Sequence, residues 1–250
     1  MVTEKKNKNE TLPLLEVRNL HTYFYTADGV VKAVDGVDLD VFPKKTLGIV
    51  GESGCGKSIT TKSILRLIDN PGKIIEGKMN LYDKTHENSQ DIAKLNNQEL
   101  KKVRGGRISM IFQEPMTSFS PIHTVGNQIT EAIKLHLKYE KNEAMELAED
   151  WLIRVGMSNP KQRLKQYAFE LSGGQRQRAM IAMALCTNPD ILIADEPTTA
   201  LDGTTQAQTL DLLNDLQEKN GVSIIRIPHD LGVIAELADE VNVMYLGKVV

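Results

Sequence analysis

The sequence predicts an α/β fold: a sheet core with crossover helices, an antiparallel β layer, and an inserted helical lobe. Three observations carry this. The apolar run Leu47-Gly48-Ile49-Val50 leads into a glycine-rich turn and then a helix. Three further apolar runs, Ile191–Ala194, Ser223–Ile227 and Val241–Tyr245, are spaced by helix-length segments, the alternation of a parallel sheet. From Val125 to about Gly156 the apolar spacing turns helical.

Residues 1–12 are polar and lysine-rich and predict a loose tail. Leu14–Val17 and Val31–Val41 alternate apolar and polar residues, as antiparallel strands with one wet face do. After the strand at 47–50, Ile64, Leu65 and Ile68 give the next helix one apolar face. Ile108–Phe112 reads as a strand ending at Gln113. The lobe's helices are marked by Ile129, Ile133, Leu135 and Leu137, then by Met145, Leu147, Ala148, Leu152 and Val155. A further helix runs from Arg176 to about Leu185, and no internal repeat interrupts the pattern.

The bulk composition is that of an ordinary globular chain: 250 residues, 41% hydrophobic and 25% charged, with a net charge of −3. That balance gives no basic nucleic-acid footprint, and Lys101, Lys102, Arg104 and Arg107 read as a solvated face. No apolar run approaches the roughly 20 residues that span a bilayer, and the polar start is no signal peptide. Two cysteines, Cys55 and Cys186, form neither a disulfide framework nor a metal-ligand spacing, which suits a reduced compartment.

Residues 51–58 read Gly-Glu-Ser-Gly-Cys-Gly-Lys-Ser. Glycines at 51, 54 and 56 let the backbone curl so that its N–H groups point inward. Those donors, the positive helix end and the Lys57 ammonium together hold a polyphosphate, and the Ser58 hydroxyl is placed to ligate Mg²⁺. Cys55 at a helix N-terminus is either an activated thiol or the filler of a position with no side-chain requirement. The strand Ile191–Ala194 then ends in Asp195 and Glu196. Such a pair can hold Mg²⁺ and deprotonate an attacking water, although acidic residues also end strands as plain helix caps. Leu171-Ser172-Gly173-Gly174-Gln175 opens a helix. Ser172 with Gln175 matches a capping box, yet two glycines there weaken the helix by about 1 kcal/mol each relative to alanine. Bare amides at a helix start admit a phosphate, so a site completed between two chains is expected.

Gly51–Ser58, Gln113, Leu171–Gln175, Ile191–Glu196, Ala200-Leu201-Asp202 and His229, in this order, resemble the ATP-binding subunit of an ABC transporter across essentially the whole chain. Val31–Val37, Ile111–Ser118 and His229–Ala235 resemble its oligopeptide/dipeptide (nickel/oligosaccharide) importer branch. The resemblance implies a P-loop NTPase cassette with a mixed sheet core, an antiparallel β subdomain and an inserted helical subdomain. The cassette would span 13–250, with its core at 13–115 and 171–250 and the helical part at about 116–170. It implies ATP and Mg²⁺ as cofactors. Phe24, with Tyr23 or Tyr25 as alternates, would stack on adenine, an aromatic triplet in a strand being equally a core feature. Gly51, Ser53, Gly54, Cys55, Gly56, Lys57, Ser58 and Ile59 would line the phosphates, and Ser58, Gln113 and Asp195 would complete the Mg²⁺ shell. Glu196 would be the general base, with Lys57, Gln113 and His229 around the γ-phosphate. Ser172, Gly173, Gly174, Gln175 and Asp202 would reach the nucleotide held by a facing cassette.

The resemblance further implies a peripheral subunit on the cytoplasmic face of the membrane, powering peptide import. Its partners would be a second, paralogous cassette, two permease subunits and, indirectly, a solute-binding protein, with no nucleic acid. A soluble ABC ATPase acting on DNA or ribosomes is the alternative, and it lacks here the coiled-coil arms or tandem cassettes it needs. Three departures from the family pattern stand out. Arg226 lies in a strand expected to be buried, Pro228 precedes His229 where Thr or Ser is usual, and Tyr167-Ala168-Phe169-Glu170 replaces Tyr-Pro-His-Glu. Peptide-importer ATPases continue well past position 250, so their C-terminal extension is expected to be absent.

Overall fold

Two sheets organise the chain, and the computed structural model describes residues 12–114, 118–198, 203–228, 232, 234 and 237–250. Strands β1 (Leu15–Thr26) and β2 (Gly29–Val41) form a long hairpin. β3 (Thr46–Gly51) and helix α1 (Lys57–Ile64) flank the glycine-rich loop. β4 (Gly72–Tyr82), β5 (Ser89–Asp91) and α2 (Asn97–Val103) follow, then β6 (Ile108–Ile111). The lobe contributes α3 (Val125–Leu137), α4 (Lys141–Arg154) and the single turn α5 (Pro160–Arg163). Then come α6 (Gly173–Leu185), β7 (Ile191–Asp195), α7 (Gly203–Asn220), β8 (Ser223–Ile227), β9 (Glu240–Tyr245) and β10 (Lys248–Val249).

The core sheet has the order β10-β9-β3-β8-β7-β6. It is parallel from β9 to β6, and β10 closes it antiparallel to β9, so it is a mixed sheet. The second sheet, β2-β1-β4-β5, is antiparallel throughout. Alternation along the central strands feeds two cores. Leu192, Ala194 and Ile224 face one that holds Trp151, Leu152 and much of α6. Ile191, Ile193, Ile225 and Ile227 face the other, beneath the antiparallel sheet. Central strands buried on both faces read as continuous apolar runs, which is why they were legible.

The remaining elements depart from the sequence pattern for identifiable reasons. The first strand runs on from Leu15 to Thr26 rather than stopping near Val17, because bulges at Val17–Tyr23 break its alternation. β4, β5, α2 and β10 were not anticipated. In β4 the alternation is interrupted by Gly77, which lies opposite the β1 bulge, where a Cβ would stand 2.9 Å from Leu20 Cα. Leu135 is exposed on the outer face of α3, whose buried stripe is Val125, Ile129 and Ile133. Arg104 and Arg107 are not solvated. Arg104 donates to Leu65 O at 2.8 Å and Arg66 O at 2.7 Å, and Arg107 pairs with Asp190, so both staple elements together. Among the described residues no helix is long and apolar enough to cross a membrane.

Arg226 is the strangest core residue, 1% exposed in the middle of β8. Its Nη2 donates to Asn214 Oδ1 on α7 at 3.1 Å, while Nε and Nη1 have no partner among the described residues. Burial pushes its pKa down to about 10, so the guanidinium still carries its charge at neutral pH. Each unsatisfied buried donor costs about 1–3 kcal/mol. Arg226→Met, which keeps the stem and deletes the charge, is expected to raise stability by about 1–3 kcal/mol, seen as a higher urea midpoint at unchanged slope. A lower midpoint would show that the guanidinium has a compensating partner.

Candidate nucleotide-binding site

The loop between β3 and α1 is shaped by close backbone approach. A Cβ on Gly51 would stand 2.2 Å from Met244 O of β9, and one on Gly56 would stand 2.1 Å from Ala33 O of β2. Both residues also sit at positive φ, at 150° and 108°, where a side chain is disfavoured. Gly56 caps α1, and its carbonyl accepts from Thr60 N–H at 2.8 Å and Thr60 Oγ1 at 3.0 Å. Gly54 faces open space. Ile59 and Cys55 pack downward into the core, and the Cys55 thiol is 5% exposed beneath Gly51. The sequence allows Cys55 to be an activated thiol or a filler with no side-chain requirement; its side chain is instead part of the core packing beneath the loop.

The loop's charges are oriented before any ligand arrives. Lys57 Nζ donates to Gly51 O at 2.8 Å and Glu52 O at 2.9 Å, and no carboxylate among the described residues pairs with it. A cation held only by neutral carbonyls keeps its field available to an anion, as does the positive end of α1. Ser58 Oγ donates to Asp195 Oδ1 at 2.9 Å, which ties the start of α1 to the end of β7. Asp195 is 2% exposed; burial raises its pKa, opposed by the Ser58 hydrogen bond and by Lys62 and Lys57.

Adjacent parallel strands bring the third group to the same level. Ile111 pairs with Ala194, so Gln113 just past β6 lies beside the end of β7. Gln113 Nε2 donates to Glu196 Oε2 at 2.8 Å. Glu196 adopts φ 45°, left-handed and uncommon for a residue with a side chain, and its N–H donates to Ile227 O at 2.9 Å. The residue stands at the carboxyl edge of the parallel strands, where α/β sheets bind their ligands. Clusters of three or more His, Cys, Asp or Glu able to hold a metal are absent among the described residues. The hard oxygens of Ser58 and Asp195 nevertheless suit Mg²⁺, which keeps few protein ligands and takes the rest from phosphate and water.

Ser172–Gln175 stands apart from this cluster. Gln175 N–H donates to Ser172 Oγ at 3.3 Å and Ser172 N–H donates to Gln175 Oε1 at 3.1 Å, a complete capping box. Among the described residues no hydrogen bond joins it to the 51–58 loop, and Gly174 lies against Thr205 of α7. Phe24 is half-buried against Ile68 and Gly72. Its neighbours differ: Tyr23 gives its hydroxyl to Asp35 at 2.5 Å, and Lys73 lies over the exposed Tyr25 ring. Asp202 and His229 lie outside the described residues. Sequence reasoning missed Ala33, Met244 and Gly247, whose backbones wall the loop. Gly247, following Leu246 after a strand, was the one signal available.

Known proteins share this architecture. A family model described as "ABC transporter" matches residues 34–199. A probable peptide ABC transporter ATP-binding protein, y4tR, of Sinorhizobium fredii is 49% identical over 238 residues, 95% of this chain and 69% of the relative. The oligopeptide transport ATP-binding protein AppD of Bacillus subtilis is 51% identical over 238 residues, 95% of this chain and 71% of the relative. Among solved structures, the dimeric bacterial ABC transporter cassette MJ0796 superposes with a TM-score of 0.79 at 27% identity, covering 94% of this chain and 96% of that one. A post-hydrolysis dimer of the same cassette, bound to ADP and Pi, superposes equally well, at a TM-score of 0.79. A family match running from β2 to beyond β7, together with about half the residues shared with such relatives along 95% of its length, establishes that this chain belongs to the ABC transporter family.

Proposed function

We propose that the chain is the ATP-binding and ATP-hydrolysing subunit of an ABC importer for peptides, working as one half of a cassette pair. The observation that carries it is the Ser58–Asp195 hydrogen bond at 2.9 Å, which sets the phosphate loop against the carboxylate strand. Names of relatives that handle peptides and oligopeptides support the substrate class. The cassette dimers among the structural neighbours support the pairing.

On this reading the triphosphate lies along the loop amides, and Lys57 turns from the Gly51 and Glu52 carbonyls to the β- and γ-phosphates. Phe24 stacks on adenine. Ser58, Asp195 and Gln113 hold Mg²⁺, whose chemistry is to neutralise charge on the phosphate oxygens. Glu196 accepts the proton of the attacking water, with Gln113 orienting its carboxylate, and His229 orders that water. Ser172, Gly173, Gly174 and Gln175 present bare amides to the nucleotide of a facing cassette, and Asp202 communicates between the two sites. That cassette is a paralogous subunit. The helical lobe, about 116–170, grips two permease subunits at the cytoplasmic face of the membrane, which a solute-binding protein serves from the far side.

Glu196→Gln is expected to bind Mg-ATP like the wild type while turnover falls about 10²–10⁴-fold, the usual worth of a general base. Phosphate release and calorimetry measure the two quantities, and undiminished turnover would take Glu196 out of the role. The same variant, mixed with its cognate cassette, is expected to form an ATP-dependent dimer on gel filtration. ATP-independent elution of both partners as monomers would remove the shared site. Lys57→Ala is expected to weaken Mg-ATP binding by at least about tenfold, on the scale of a lost charge-assisted hydrogen bond.

A further inference from the structure

The phosphate loop rests on a turn that belongs neither to its strand nor to its helix. Leu246 and Gly247 link β9 to β10, and Gly247 N–H donates to Cys55 O of the loop at 3.0 Å. On its other side the same residue accepts: Asp35 N–H of β2 donates to Gly247 O at 2.8 Å. There is no slack around it, since a Cβ on Gly247 would stand 2.9 Å from Lys32 O. The turn therefore works as a spacer of fixed thickness between β2 and the loop.

Asp35 controls that spacer from its carboxylate as well as its amide. Tyr23 of β1 donates its hydroxyl to Asp35 Oδ1 at 2.5 Å, and His21 Nδ1 lies 3.2 Å from the same oxygen. Lys32 Nζ of β2 and Lys248 Nζ of β10 approach the carboxylate at 3.9 Å and 3.8 Å. The Tyr23 hydroxyl is pushed up to about 12 chiefly by that hydrogen bond, which also holds the Asp35 carboxyl below its ordinary value. Tyr23 is the immediate neighbour of Phe24. One residue thus links the strand that bears Phe24, through its carboxylate, to the turn beneath the loop, through its amide.

We propose that Asp35 is a positioning residue for nucleotide: it fixes the distance between the adenine-stacking strand and the phosphate loop so that base and triphosphate are engaged together. The inference rests on the nucleotide-binding reading above. A ligand that occupies only the loop does not need that distance held. A ligand that spans both ends does, because its second contact is made at an effective concentration set by the geometry of the first.

The test compares Mg-ATP with Mg-tripolyphosphate by calorimetry, on the wild type, Asp35→Asn and Tyr23→Phe. Both variants are expected to lose about three- to tenfold in ATP affinity, the scale of one hydrogen bond to a charged group, while tripolyphosphate affinity stays within about twofold. Equal losses for both ligands, or no loss for either, would overturn the positioning role. Tyr23→Phe keeps the ring and decides the matter should Asp35→Asn fail to fold. Wild-type protein that binds neither ligand would instead overturn the nucleotide reading itself, leaving the two failures distinct.

Discussion

The hydrogen bond from the Ser58 hydroxyl to the Asp195 carboxylate is the contact on which the site depends. It joins the first turn of α1 to the end of β7, two strands away from β3 across the core sheet. Asp195 is buried, and an ionised carboxylate there needs a donor or a cation to offset lost hydration. The Ser58 hydroxyl supplies the donor, and Lys57 and Lys62 supply positive potential nearby. A buried acid of this kind is costly unless a hard cation joins it, which makes the position a natural seat for a metal that arrives with phosphate.

Around that contact the site satisfies its own polar groups. Lys57 leans on loop carbonyls, Gln113 occupies the Glu196 carboxylate, and the Ser172–Gln175 turn closes on itself. Each of these bonds lies within one chain and exchanges readily for one to a ligand or a neighbour, at a net difference of about 1 kcal/mol apiece. The shell is organised without being locked. The backbone beneath it is different: Met244 and Ala33 stand too close to admit a Cβ at Gly51 and Gly56, and Gly247 N–H holds the Cys55 carbonyl. Rigid support below and exchangeable side chains above is the arrangement that preorganisation requires.

Much of the core sheet and the motif-bearing loop was legible because each rests on local pattern. β3 and β7 are buried on both faces and spell nearly continuous apolar runs, β8 does so but for Ser223 and Arg226, and α3 and α4 repeat at helical spacing. The antiparallel sheet was half legible. β1 shifts register at its bulges and β4 carries Gly77 and charged residues, so neither keeps a clean period of two. Arg104 and Arg107 read as surface because composition cannot reveal that carbonyl oxygens of Leu65, Arg66 and Tyr82 await them. The loop's walls were invisible for the same reason: they are backbone atoms supplied by β2 before the loop and by β9 and its following turn far beyond it. Arg226 was flagged by its place in a buried strand, and it is indeed buried, with Asn214 of α7 as its one hydrogen-bond partner among the described residues.

The amide that sits on the Glu196 carboxylate decides where that carboxylate points. That hydrogen bond takes up one of the several acceptor positions of a carboxylate, so it orients Glu196 without ending its capacity to accept a proton. A side chain aimed in advance gives up less freedom when a substrate arrives, and here the aim comes from the end of a neighbouring strand.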